Sequence, residues 1–465
     1  MFAIVPILLE VFFVLLKPQE LWEFLLAFQP LYTIPALIGL GFVFDAGRYG
    51  IHRVAPAPYL YHALFFFIWC LFTIMVRAPA TLTAESILFG TSILMAMSIA
   101  HCVQTLPLYK LFGLSILALT LLLSFIGTHQ ARAPFKCYWL DPIDRTVQHY
   151  DGHPCSGVFQ EAECYREDDE HERTYVCEHA GLMGTASVAG RVRFRGNLED
   201  PNELSLTVAI GFPFAVAFYG MKKTIVRALL VIVSFLLVGS CVFYSQSRGG
   251  QLVLMAVLAT MFIKRFGWKI GGIVGGIAAV PMLVLATMTG RSESEAEGSA
   301  LERIECLQIG LELVKRFPLL GVGKGQFGEY HFLTAHNSYV LAAAETGLIG
   351  FAVWSCVIYL GVKIPLSAMG ALKGKEGRNY DEARHLTTAL LASMIGLVLG
   401  SYFLSFSFHA ILWIYVGLTG ALAGMVRKLV PEWRVRISGK ELGIIVGLNI
   451  TLLTVIFLYA KYKIG

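Results

Sequence analysis

His336 opens the run His336-Asn337-Ser338-Tyr339 at the head of an apolar stretch, and it is well suited to move a proton. An imidazole titrates near neutrality, so at a helix start it can act as a base once a reactive hydroxyl is brought to it. A histidine there also serves simply to cap a helix or bond a loop; its company argues for chemistry. A second apolar run begins Asp200-Pro201-Asn202-Glu203, where Asp200 or Asn202 can cap a helix and Pro201 suits its first turn. Helix starts present unpaired N–H groups and a partial positive charge, and they bind anions, phosphates above all. Between the two lies Ser245-Gln246-Ser247-Arg248-Gly249-Gly250, a tight turn with one charge and two glycines that permit close backbone approach. A lone arginine at a membrane edge also reads as a side chain snorkelling to headgroups. Arg191, Arg193 and Arg195 read equally as a solvated basic face. Together, the four guanidiniums beside two helix starts outline an anion site of pyrophosphate size.

The elements that must position these residues are membrane spans. The chain has 465 residues, 56% hydrophobic and 15% charged, against about 25% charged in a soluble domain. Its apolar residues fall in blocks long enough to cross a hydrocarbon core of ~30 Å. Spans are predicted near 2–16, 31–46, 59–77, 86–104, 108–128, 204–220, 225–246, 249–264, 268–288, 338–362, 387–406, 409–426 and 442–461. The first and eighth are short, so the count is twelve or thirteen. The first lacks a basic leader region and a cleavage site, and is read as retained. Arg48, Arg53, Lys110, Lys222, Lys223, Arg227, Lys264, Arg265 and Lys269 share one side with the basic loops at 363–384 and 427–440. Opposing short loops hold only Lys17, Arg77 and Arg248. By the positive-inside rule the N-terminus is cytoplasmic, and the loops at 129–203 and 289–336 face outward.

The expected organisation is N-terminal spans (1–128), a cysteine-bearing outer loop (129–203) and central spans with the Arg248 turn (204–288). A second outer loop (289–336) and C-terminal spans (337–465) follow. Cys137, Cys155, Cys164 and Cys177 in an exported loop read as two disulfides, with three pairings open. Their spacing is too wide for a Cys-rich metal site, and no metal is expected.

Some matches carry little. Gly323-Lys324-Gly325-Gln326-Phe327-Gly328 has dinucleotide-motif spacing but no preceding strand, so it reads as turn geometry, and Lys324 lacks the context of a phosphate loop. Asp168-Asp169-Glu170 reads as a solvated acidic run, and the sequon at Asn449 is buried in a span. Glu345 lies nine residues past His336, half a turn out of phase and ~13 Å deeper on a helix, so it cannot orient His336 directly. Structural bridging is expected of it.

These residues resemble the O-antigen ligase and polymerase superfamily. His336-Asn337-Ser338-Tyr339 followed by Glu345-Thr346-Gly347-Leu348-Ile349-Gly350 is similar to its HNxY…ExGxxG signature, and Pro318 to Phe327 to the approach before it. Ser247-Arg248-Gly249-Gly250 looks like its SRG turn, and Arg195-Gly196 through Pro201-Asn202 like its R-G-x-x-x-x-P-N entry. The likeness is strong over 190–350; the cysteine-bearing loop departs from it. The resemblance implies an all-α polytopic membrane protein with a C-type glycosyltransferase-like fold. Such a protein would transfer glycan from an undecaprenyl-pyrophosphate donor to an acceptor glycan, lipid A core or protein. By motif position His336 would be the base, and Arg248 and Arg195, with Arg193 and Asn337, would hold the pyrophosphate. Gly249, Gly347, Asn202 and Glu345 would support them. Arginines can neutralise a diphosphate, so neither metal nor cofactor is expected, and one displacement would invert the anomeric carbon. The expected setting is a bacterial inner membrane, with membrane lipids as partners and no nucleic acid. A transporter or flippase would instead spread charge along several spans and show a repeat, and a non-catalytic secretion scaffold would leave the motif order unexplained.

Overall fold

A computed structural model describes residues 2–50, 54–140, 148–155, 164, 174–287 and 293–464. It is an all-α bundle with one small sheet. The helices are α1 (Ile4–Leu16), α2 (Pro30–Tyr49), α3 (Leu60–Arg77), α4 (Leu82–Cys102), α5 (Leu106–Gln130), α6 (Pro201–Gly211) and α7 (Pro213–Met221). After them come α8 (Ile225–Tyr244), α9 (Arg248–Thr287), α10 (Glu293–Arg316), α11 (Ser338–Leu372), α12 (Arg378–Gly400), α13 (Ala410–Leu429) and α14 (Gly439–Ile464).

Ten helical segments among the described residues are long and apolar enough to cross a membrane, with α6 and α7 forming one of them. The other expected spans are also helical: α1 has 13 residues, α2 has 20, and α9 runs on past a break at Gly267. Some polar side chains inside the spans find partners on other helices. Ser355 Oγ of α11, for example, lies 3.0 Å from Asn449 Oδ1 of α14. The most enclosed helix is α13, packed on α4, α11 and α12, while α8 and α14 lie at the periphery.

Both long connections carry structure that hydropathy does not anticipate. In the second, expected as a loop over 289–336, α10 spans 24 residues. Its charged residues hide the periodicity, yet Ile304, Leu311 and Val314 are buried and the helix packs on α11 and α14. In the first, β1 (Phe135–Leu140) pairs antiparallel with β2 (Gln148–Pro154) and β3 (Tyr175–His179), in the order β2-β1-β3. Cys137 and Cys177 face each other across β1 and β3. Of the three pairings, the structure has Cys137–Cys164 and Cys155–Cys177, at Cα separations of 5.6 and 6.1 Å, within the usual disulfide range. The 168–170 acidic run lies outside the described residues.

Candidate active site

Three helices start at one place. The side chain of Asp200 accepts the N–H of Asn202 at 2.8 Å, capping α6. Asn337 caps α11 by accepting from Tyr339 and Val340, both at 3.0 Å, and α9 starts at Arg248 itself. The connection between α12 and α13 laces these starts together. Asn337 Nδ2 donates to the Tyr402 carbonyl (3.0 Å), Ser338 N to Ser401 (2.7 Å) and Ser338 Oγ to Leu404 (2.6 Å). The paired glycines of α9 fit into the same knot. A Cβ on Gly249 would sit 3.3 Å from Phe403 Cβ, and one on Gly250 would overlap Ser205 of α6. Close approach of α9 to α6 is what these glycines supply.

His336 immediately precedes the cap of α11, in a left-handed backbone conformation at φ 47°. Its ring is partly buried and makes no hydrogen bond to another described residue. Burial first, and Arg303 of α10 second, push its pKa below the ordinary histidine value; Asp200 and Glu302 pull it up, and His331 pushes it down. The imidazole is therefore neutral near pH 7, the form that accepts a proton. Asp200, the α6 cap, and Arg303, on the helix that sequence reading missed, thus both belong to its surroundings.

The arginines divide into two groups. Arg248 is exposed at the first turn of α9 and has no hydrogen bond or ion pair with another described residue. Arg191 braces that turn: its Nε donates to the Ser245 carbonyl at 2.9 Å and its Nη2 to Asn202 Oδ1 at 3.2 Å. Arg193 is buried, donating to the Ala186 carbonyl at 3.1 Å and pairing with Glu199 at 3.6 Å. Arg195 donates to the carbonyls of Gly184 (2.6 Å) and Glu20 (3.2 Å). Asn337 is 1% exposed with both ends of its amide engaged in the cap and the loop.

Glu345 belongs to a second construction beneath the site. The ribbon after α10 lies against α11 where that helix breaks at Gly347 (φ 68°, ψ 179°). There the Val322 N–H donates to the Ala344 carbonyl (2.9 Å), Gly323 to Glu345 (3.0 Å) and Leu348 to Pro318 (2.8 Å). The Glu345 carboxylate, 3% exposed, accepts the N–H groups of Gly325 (2.9 Å) and Phe327 (3.1 Å). Lys324 pairs with Glu85 of α4. The glycine spacing that mimics a dinucleotide motif is thus a ribbon clipped into a membrane helix. Gly347→Ala is expected to cost about 1–3 kcal/mol or more, since that backbone region is essentially confined to glycine and a Cβ would overlap the Leu319 carbonyl. Thermal unfolding of the purified protein checks this; an unchanged melting temperature would dismiss the clip as a structural necessity.

Residues 232–355 match the family model described as O-antigen ligase. Over this stretch the chain is similar to the O-antigen ligase family. The matched stretch contains Arg248, Gly249, His336, Asn337, Glu345 and Gly347, the residues of two of the three converging helix starts and of the break in α11. No curated protein matches the chain. With ten helical segments long and apolar enough to cross a membrane among the described residues, the matched stretch supports a ligase- or polymerase-type membrane enzyme.

The fold brings to the site three residues that motif position did not select: Arg191, His409 and Glu203. Arg191, Arg193 and Arg195 alternate with apolar residues, and nothing in that spacing ranks them, so motif position selected Arg195 over Arg191. His409 caps α13 by accepting the Ile411 N–H at 3.3 Å, and its Nε2 lies 4.0 Å from Glu203 Oε2 of α6. Its signal, a histidine before an apolar run, is the one that singled out His336. Glu203 was legible only as the residue after the Pro201-Asn202 pair.

Proposed function

We propose that this enzyme transfers glycan from an undecaprenyl-pyrophosphate donor to an acceptor on the outer face of a bacterial inner membrane. The observation that carries the reading is that a neutral imidazole at the start of α11 and a guanidinium at the start of α9, neither with a hydrogen bond to another described residue, lie on helix starts tied to the same α12–α13 connection. His336 takes the proton of the acceptor hydroxyl. The acceptor oxygen bonds to the anomeric carbon while the bond from that carbon to the pyrophosphate oxygen breaks, inverting the centre. Products are the extended acceptor and undecaprenyl pyrophosphate. The negative charge growing on the leaving oxygen is met by Arg248, at the positive end of the α9 dipole. Arg195, by its place in the motif, is the second guanidinium. It would exchange the carbonyls of Glu20 and Gly184 for phosphate oxygens, which add the attraction of opposite charges and a bidentate fit to the guanidinium fork. Arg193 and Asn337, already engaged, hold backbone in place beside the phosphate groups. The acceptor is a lipid-linked chain if the enzyme is a polymerase, and lipid A core or a protein if it is a ligase. Loss of the gene separates these: short glycan still attached to the surface marks a polymerase, and no attached glycan marks a ligase.

The test is turnover of purified protein with the lipid-linked donor and candidate acceptors, followed by release of undecaprenyl pyrophosphate across pH. Because the neutral imidazole is the competent form, turnover falls as pH drops through the lowered pKa of His336, so its acid limb lies below the ordinary histidine range. Arg303→Gln removes a cation that holds that pKa down, and the limb moves to higher pH. Absence of turnover with every acceptor overturns the transfer reading; a limb unmoved by Arg303→Gln removes His336 as its cause.

A further inference from the structure

We propose that Glu178 of β3 is a positioning residue for the transfer site, acting through a strained turn that aims Arg191 at the starts of α6 and α9. The inference rests on the transfer reading above and adds what fixes the geometry of its donor side. Glu178 is 4% exposed, and a carboxylate so enclosed is costly unless its oxygens are bonded. Here both are bonded. Oε1 accepts the N–H of Ala189 at 2.6 Å, and Oε2 accepts the N–H of Gly190 at 3.2 Å and the hydroxyl of Ser187. His179, the next residue on β3, clasps the same serine. Its N–H donates to Ser187 Oγ at 2.8 Å, and its carbonyl accepts the Ser187 N–H at 3.1 Å.

What the carboxylate holds is a tight turn under strain. Val188 and Arg191 exchange both backbone hydrogen bonds, each 3.0 Å, so Ala189 and Gly190 alone make the reversal. Both are left-handed, at φ 49° and 70°. A two-residue hairpin turn of this mirrored kind favours Asn-Gly or Gly-Gly, and an alanine at its first position is sterically opposed. Consecutive N–H groups in such a turn converge on an anion, and the Glu178 carboxylate is that anion. Both turn residues are exposed, and a Cβ on Gly190 would meet nothing within 4 Å. Packing does not hold the tip of this turn in place; the buried carboxylate does.

The turn sets where the next two residues go. Arg191 sends Nε to the Ser245 carbonyl and Nη2 to Asn202 Oδ1, and the Val192 N–H donates to the Tyr244 carbonyl at 3.2 Å. Tyr244 ends α8, and Ser245 begins the turn that presents Arg248. Asn202 Nδ2 in turn donates to Asp200 Oδ1 at 2.8 Å, and Asp200 belongs to the surroundings of His336. Glu178 thus bears on both the proposed clamp and the neighbourhood of the proposed base without touching either. Its own mount is the small sheet: it pairs in register with Lys136 of β1, and the preceding Cys177 is bonded to Cys155. The cysteine-bearing loop, outside the stretch matched to the family, is therefore this chain's means of holding its arginine ribbon.

The experiment uses the full chain in lipid nanodiscs, with the lipid-linked donor varied at fixed acceptor. Glu178→Gln keeps the shape but replaces one acceptor oxygen by an amide that donates toward the N–H groups of the turn. It should lower kcat/KM for the donor about 10- to 100-fold, the scale of a small misplacement imposed from outside the chemistry. Dependence on Arg191 separates this role from a merely structural one. In an Arg191→Ala background the same substitution should cost less than about twofold more, because the two residues act along one path. Ala189→Gly should recover part of the loss in Glu178→Gln, since glycine takes the left-handed turn unaided. Gly190→Val disfavours the turn from its exposed tip with Glu178 intact, and it carries the same test if Glu178→Gln fails to fold. Hydrogen exchange reads the path without turnover: amides at 187–191 and 244–250 should exchange faster in both variants. Wild-type kcat/KM in the folded variants, an equal loss with and without Arg191, or unchanged exchange at 244–250 overturns the proposal. Faster exchange there in a protein that never turns over overturns the transfer reading alone.

Discussion

His336→Ala is expected to lower turnover by about 10²–10⁴-fold, the usual contribution of a general base, while the protein inserts and folds as before. The imidazole makes no hydrogen bond to another described residue, so removing it breaks no network. The neighbouring cap is made by Asn337, which the substitution leaves untouched. Alanine does introduce strain at φ 47°, and His336→Asn answers that objection. Asparagine tolerates left-handed backbone and matches part of the ring's size, but it cannot accept a proton at neutral pH. Both variants should therefore lose turnover alike and keep affinity for the donor, because the loss lies in the reacting step. Turnover near wild type in either variant would remove His336 from the base role. His409, poised against Glu203 and at the start of a helix itself, would then be the imidazole to replace next.

Much of the bundle could be read before any coordinates, and the reason is physical. Hydrocarbon excludes unpaired backbone and charge, so each span must appear as an apolar block of fixed length. That constraint does not apply to α10, which buries only the stripe including Ile304, Leu311 and Val314 beneath a charged surface. The strands β1 to β3 escape for a related reason: they are short, paired antiparallel, and fastened by Cys155–Cys177 between the end of β2 and β3 and by Cys137–Cys164 from β1 to the connection beyond. At the site, local signals were legible and long-range ones were not. The caps at Asp200 and Asn337 follow from residue type and position. That Gly325 and Phe327 donate to Glu345 does not, since the partners are 20 and 18 residues apart on separate elements. The same holds for Arg303 beside His336, where the charge that tunes the imidazole comes from a helix that hydropathy leaves unseen. Arg191 illustrates the remaining gap. Its value lies in reaching Ser245 and Asn202 at once, a property of the folded knot rather than of an alternating run of arginines.

Arg248→Lys is expected to retain the charge and still lose about 10²-fold or more in turnover, the scale of removing one preorganised donor to a developing oxyanion. The guanidinium offers a planar fork that can hold two phosphate oxygens at once, whereas an ammonium is a point charge on a flexible stem. Position sharpens the difference. Arg248 occupies the first turn of α9, where the following glycines let the helix start sit against Ser205 and Phe403. The guanidinium therefore works at the positive end of the α9 dipole, and both favour the same anion. A lysine reaching from the same Cα would satisfy one oxygen and leave the rest of the developing charge to water. Arg248→Ala should fall further, and by the same factor at saturating donor, since the charge to be met grows only as the anomeric bond breaks. Arg191→Ala serves as the contrast. It unties the turn without removing the proposed clamp, so it should weaken donor affinity and turnover together and lower thermal stability as well. If Arg248→Lys binds the lipid-linked donor and turns it over at the wild-type rate, the pyrophosphate is held elsewhere, and Arg195 becomes the guanidinium to substitute.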